Sequence, residues 1–154
     1  MNKTITLSFL AAVVVLCAIP VQSAHAQRNA FGIRGGATED RDSVFFGVHG
    51  AIHLSGARQL RIEPSFEFGV GGSLDFSLRG NLNFKYMVPL SRNAAVYPLF
   101  GPSVYHVELD NGGDFTDVGL NIGGGFGISG LLFDLAFGIS DIPDFTFTIG
   151  YTFW

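Results

Sequence analysis

The stretch LRIEPSFEFGV, residues 60–70, places Leu60, Ile62, Phe66, Phe68 and Val70 on one parity and Arg61, Glu63, Ser65 and Glu67 on the other. Successive side chains of a strand point to opposite faces, so this is a strand with one greasy face and one charged face. In a water-soluble domain the greasy face is turned inward. Which way it turns here depends on what the rest of the chain offers to fill an interior.

The same period-2 alternation recurs along the chain, and helical periodicity is missing. Residues 76–88 set Phe76, Leu78, Leu82, Phe84, Tyr86 and Val88 against Ser77, Arg79, Asn81, Asn83, Lys85 and Met87. Residues 44–54 set Val44, Phe46, Val48, Ile52 and Leu54 against Phe45, Gly47, His49, Ala51 and His53. Residues 118–128 carry Val118, Leu120, Ile122, Phe126 and Ile128 opposite Gly119, Asn121, Gly123, Gly125 and Gly127. Residues 131–139 carry Leu131, Phe133, Leu135, Phe137 and Ile139 opposite Leu132, Asp134, Ala136 and Gly138. Residues 145–153 and a shorter segment at 31–37, with Arg34 on its polar side, complete the pattern. Residues 95–107 form an eighth segment interrupted by Pro98 and Pro102; it is expected to be a strand with a bulge, its faces unassigned. Pro64 raises the same difficulty on a smaller scale.

Eight strands of about ten residues are what a small transmembrane barrel needs. A soluble eight-stranded barrel would instead turn its apolar side chains toward the axis. The apolar parity here holds Phe, Leu, Ile, Val and Tyr at almost every step, too much bulk for a narrow lumen. The other parity is glycine, serine, asparagine and threonine with a few charges. The sequence therefore predicts an all-β, eight-stranded antiparallel up-and-down transmembrane barrel with the apolar face outward. The bare inner parity of residues 118–128 is expected to leave room for Arg61, Arg79 or Lys85.

Residues 1–26 read as a cleaved secretory signal, and residues 27–154 as the barrel domain. Lys3 supplies the positive start, residues 7–19 the apolar core, and Ala24-His25-Ala26 a small-x-small cleavage site. The thirteen-residue core is short beside the roughly 20 residues of a membrane-spanning helix. Cys17 is preceded by Leu16, not by the small residue a lipoprotein signal requires. After cleavage the chain has no cysteine, which excludes disulfides, thiol nucleophiles and thiolate metal sites. Without Lys3 it carries eight Lys/Arg (nine minus one) against thirteen Asp/Glu, a net charge of −5. That balance does not fit a nucleic-acid binder.

The connections are charged by side. Residues 38–43, 71–75, 108–117 and 140–144 hold Glu39, Asp40, Asp42, Asp75, Glu108, Asp110, Asp114, Asp117, Asp141 and Asp144, with Arg41 as the one cation. Residues 55–59, 89–94 and 129–130 hold Arg58 and Arg92 and no acid. The acidic set is expected to face outward, the basic set to face the periplasm. Divalent cations bridging the acidic connections to lipopolysaccharide phosphates are a secondary expectation, since carboxylates suit hard cations.

With these features the mature chain resembles the small outer-membrane β-barrels of the OmpA/OmpX type. The resemblance rests on the signal segment, the eight alternating segments and the aromatic ending FTFTIGYTFW. It implies an integral protein of a Gram-negative-type outer membrane, in contact with its lipid and lipopolysaccharide. It also implies that barrel-assembly machinery reads Phe145, Phe147, Ile149, Tyr151, Phe153 and Trp154, although Trp154 stands one residue past the alternation.

The charges assigned to the lumen are Arg34, Arg61, Glu63, Glu67, Arg79, Lys85 and Asp134, four positive and three negative. Buried charges must be paired, so a salt-bridged polar filling is expected, with a narrow ion path as the alternative. No cofactor, metal site or catalytic set is expected. His53-Leu54-Ser55 with Glu67 resembles elements of the outer-membrane lipid A deacylases, but Gly56 replaces that family's asparagine. His53 and Glu67 are also expected on the order of 25–40 Å apart. His49 and His53 share a face about 13 Å apart, too far for one ion. Gly125-x-Gly127-x-x-Gly130 matches a dinucleotide motif in letters only, because strand follows it where a helix is required. The alternative from a different class is an outer-membrane lipid-modifying enzyme, lipid A deacylase-like, and a soluble periplasmic ligand-binding barrel is the third.

Overall fold

The computed structural model describes residues 29–39, 43–54, 56–71, 74–109 and 112–153. Residues 1–26, expected from the sequence to be a leader, lie outside the described residues, as do Asp40, Arg41, Asp42, Asp110 and Trp154. Among these, nine strands form one sheet: β1 (Ala30–Thr38), β2 (Ser43–Leu54), β3 (Ala57–Gly71), β4 (Leu74–Tyr86), β5 (Val88–Pro89), β6 (Ala94–Leu109), β7 (Asp114–Ile128), β8 (Leu131–Ile139) and β9 (Phe145–Phe153). β5 continues the line of β4 past Met87, so the staves number eight. Every neighbouring pair is antiparallel, and β1 pairs with β9 from Phe31↔Phe153 to Thr38↔Thr146. A β4–β6 ladder completes the circle and leaves an up-and-down barrel without a sheet edge.

The apolar parity faces out. Phe46 is 63% exposed and Phe100 59%, whereas Arg61 is 2% exposed and Glu63 and Lys85 not at all. Aromatic pairs line the outer wall, Phe84 stacked on Phe100 at 5.4 Å and Phe126 on Phe133 at 4.6 Å. Several strands outrun the apolar band. β7 begins at Asp114 instead of the expected 118, because Phe115, Thr116 and Asp117 pair with Val107, His106 and Tyr105. Ladder hydrogen bonds need no apolar face, so the hairpin extends through polar residues and its loop shrinks accordingly. At the other end, Ser129 and Gly130 take φ of 50° and 92°, the two positive values of a tight hairpin turn.

The bulge expected within residues 95–107 is absent. β6 pairs with β7 without a shift from Ala94↔Ile128 to Glu108↔Asp114. In an antiparallel strand the N–H and C=O of one residue point to the same neighbour, so a proline interrupts only one of its two ladders. Pro98 and Pro102 share a parity and both address the β4 side. There the ladder skips from Asn81↔Ser103 to Phe84↔Phe100, and β4 breaks at Met87 between Lys85↔Leu99 and Val88↔Val96. Pro64 behaves alike, in a gap of the β2–β3 ladder between His49↔Ser65 and Ile52↔Ile62. All three prolines spend their missing donor where a ladder is already open.

β6 is also the strand that turns bulk inward. Tyr97, Leu99, Tyr105 and Val107 are all buried. They seed two apolar clusters, Tyr97–Leu99–Leu132 and Tyr105–Val107–Ile142. Ile142 comes from the connection between β8 and β9, which dips into the barrel over Gly119 and Gly138. A Cβ on Gly119 would stand 2.9 Å from Ile142 Cγ1, and one on Gly138 2.7 Å. The side-chain atoms nearest these two glycines thus come from Ile142 of the connection, not from Arg61, Arg79 or Lys85. At Gly125 the space is taken by Asp134 and Tyr97, whose atoms lie 2.6 and 2.8 Å from the position of a Cβ.

Candidate functional site

β1 carries Arg34, β3 Arg61, Glu63 and Glu67, β4 Arg79 and Lys85, and β8 Asp134. All seven are buried, and they meet in a single network. Glu63 is the hub, with Lys85 Nζ at 2.7 Å, Arg61 at 2.9 Å and Arg34 at 3.2 Å. Asp134 reaches across from β8 to Lys85 at 2.8 Å and Arg34 at 3.4 Å. Glu67 pairs with Arg34 at 3.2 Å and with Arg79 at 3.8 Å. Neutral groups extend the web. Tyr97 donates to Asp134 at 2.7 Å, Asn81 donates to Ser65 and Glu67, and Asn121 donates to Asn81.

Cation and ring surfaces join the charged and aromatic parts. Lys85 Nζ lies 4.7 Å from the Tyr97 ring centroid, and the Arg79 guanidinium 5.0 Å from that of Tyr105. Arg79 also donates to Thr146 at 3.1 Å. The void amid the network measures about 20 Å³, room for about one water. A larger groove of about 700 Å³ lies on the outer wall, against Phe46, Phe66 and Ile149, and belongs to the apolar band.

Among the described residues the histidines do not converge on a metal. His49 is buried and shares a hydrogen bond with Thr152 through Nε2 at 2.9 Å. No group of three or more His, Cys, Asp or Glu is placed to hold a metal ion among the described residues. His53 pairs with Arg61 in register, whereas Glu67 sits opposite Gly47, six residues back along β2. That separation is about 20 Å, shorter than the 25–40 Å expected because the strands pair with less stagger, and still far beyond hydrogen-bond reach.

One constellation escaped the sequence reading. On the outer wall His106 Nδ1 lies 2.8 Å from Thr116 Oγ1, and His106 Nε2 3.9 Å from Glu108. It needs the β6–β7 register to be visible, since Thr116 is ten residues from His106. The carboxylate stands beyond hydrogen-bond distance, so it does not orient the imidazole as a nucleophilic relay requires.

A closed antiparallel barrel of eight staves, apolar outside and charged along its axis, is the fold of the small outer-membrane β-barrels. Among solved structures, the N-terminal β-barrel domain of Pseudomonas aeruginosa OprF is similar over 82% of this chain and 98% of that one, with a TM-score of 0.56 and 14% identity. Ail, the attachment invasion locus protein of Yersinia pestis, aligns over 81% of this chain and 97% of its own, with a TM-score of 0.48 and 12% identity. The Ail backbone structure in a phospholipid bilayer nanodisc gives 0.47 and 12%, over 82% and 100%. No family model and no curated protein matches the sequence.

Proposed function

We propose that this chain is a non-enzymatic integral protein of a Gram-negative-type outer membrane, with a lumen filled by its own side chains and a structural or surface-interaction role. The observation that carries the reading is the reversal of faces. An outer wall studded with exposed Phe, Ile, Leu and Val suits acyl chains, while seven buried charges pair along the axis. The filling supports a closed lumen, because the central void is near the size of one water and an apolar cluster lies beyond it toward β8–β9. The partners of this reading are outer-membrane lipid and lipopolysaccharide, with divalent cations at the acidic connections. Barrel-assembly machinery would read the β9 side chains Phe145, Phe147, Ile149, Tyr151 and Phe153.

Fractionation followed by planar-bilayer recording tests the reading. The protein is expected to require detergent for extraction and, once refolded, to give no steady conductance. Recovery in the soluble fraction would contradict the membrane assignment, and reproducible open channels of uniform size would contradict the closed lumen. Refolding into lipopolysaccharide-containing membranes with and without a chelator addresses the cations. An unchanged melting temperature removes their role.

A further inference from the structure

The buried network is short of one negative charge. Its four cations, Arg34, Arg61, Arg79 and Lys85, face three carboxylates, Glu63, Glu67 and Asp134. The shortage is concentrated at one place. Arg34 and Lys85 are also answered by Asp134, and Arg34 by Glu67, whereas Arg61, the outermost, meets no carboxylate but the shared Glu63 among the described residues. Beside that ion pair and a 3.4 Å hydrogen bond to Thr152, Arg61 keeps a buried Nε with no hydrogen-bond partner. An uncompensated buried charge is costly, so a counter-ion is favoured wherever one can reach it.

Such a place adjoins Arg61. At the barrel end where β1 begins and β9 finishes, a vestibule of about 490 Å³ opens between the lumen floor and the connection after β5. Arg61, His53, Ser91, Arg92, Asn93 and Ser129 supply its polar lining, and no Asp or Glu lines it among the described residues. Arg92 is exposed and Arg61 buried, so a guanidinium is offered at the mouth and another at the floor. Guanidinium groups take carboxylates and phosphates through paired charge-assisted hydrogen bonds.

We propose that this vestibule is an oxyanion-binding site, for a carboxylate or phosphate group that enters from the short-connection end and completes the charge balance at Arg61. The proposal does not depend on the lumen being closed. Two sources share this chemistry, a soluble anion and the headgroup of an anionic lipid.

The full chain, isotope-labelled and refolded in phosphatidylcholine nanodiscs, is titrated with inorganic phosphate and with succinate at constant ionic strength set by chloride. Saturable amide shifts are expected at Arg61, Arg92, Asn93 and His53, with the acidic end of the barrel unmoved. Arg92→Gln, an exposed change outside the network, is expected to weaken binding about tenfold, the effect of losing a charge-assisted hydrogen bond. If soluble anions cause no shift but the same resonances move on exchange into phosphatidylglycerol nanodiscs, the headgroup is the source. No saturable response in either membrane overturns the proposal, as does a response that Arg92→Gln leaves unchanged.

Discussion

β3 and β6 are both long, continuous strands that carry proline, and they furnish opposite kinds of interior. β3 turns Arg61, Glu63, Ser65 and Glu67 toward the axis, while β6 turns Tyr97, Leu99, Ser103, Tyr105 and Val107. Neither would fill the lumen alone. Charges need partners, and rings need neighbours with room. β4 lies between them and serves both, since Lys85 touches Glu63 and the Tyr97 ring, and Arg79 touches Glu67 and the Tyr105 ring. The lesson is that this interior is specified by complementary walls, and that inward-facing need not mean polar even when the barrel is inverted.

The sharpest way to break the charged wall is at its hub. Glu63→Gln leaves Lys85, Arg61 and Arg34 without their shared carboxylate. It is expected to lower unfolding stability in lipid by about 3–5 kcal/mol, the cost of removing one partner from a buried pair. Urea unfolding of the refolded protein measures it, and a loss below 1 kcal/mol would mean that water already shields these cations.

The outer wall gives the next effect. Phe100 stacks on Phe84 and is one of the most exposed aromatics, so Phe100→Arg should cost about 2–4 kcal/mol if that face meets hydrocarbon near the midplane. The same substitution in a soluble barrel would be nearly neutral, which makes it a direct test of which way the cylinder is turned.

The aromatic wall is probed most gently at Gly125. A methyl there would crowd Asp134 Oδ1 and the Tyr97 ring and approach the Phe133 carbonyl at 2.3 Å. Gly125→Ala is expected to destabilise by about 1–3 kcal/mol, as overpacking does. Pairing it with Tyr97→Leu, which removes the ring edge the methyl would meet, should show coupling in a double-mutant cycle, whereas additivity would place the crowding on Asp134 and the Phe133 backbone.

Much of the fold was legible because alternation is a local property. Phe76 to Val88 and Phe145 to Phe153 announce their two faces without reference to any other residue, and the outward turn of Phe46, Phe66 and Phe84 follows once the bulk of all eight apolar faces is set against a narrow lumen. β6 was not legible for the same reason. Both of its parities carry large apolar or aromatic residues, Val96, Phe100 and Val104 on one, Tyr97, Leu99 and Tyr105 on the other. A period-2 pattern cannot choose between two equal faces. Ile142 lay in an acidic connection expected to face outward, and its insertion requires β7 and β8 to have placed Gly119 and Gly138 beneath it.

The sequence by itself determined the class: eight short alternating segments, bulk on one parity, small and charged groups on the other, and connections sorted by charge. Tertiary closure decided everything that depends on distance across the axis. It brought Asp134 of β8 to Lys85 of β4, and Arg34 of β1 to Glu63 of β3. It also chose the inward face of β6 and gathered Arg61 and Arg92 around one cavity. The physical reason is that alternation needs only neighbours along the chain, whereas the meeting of side chains inside a barrel is set by the stagger and closure of all its strands at once.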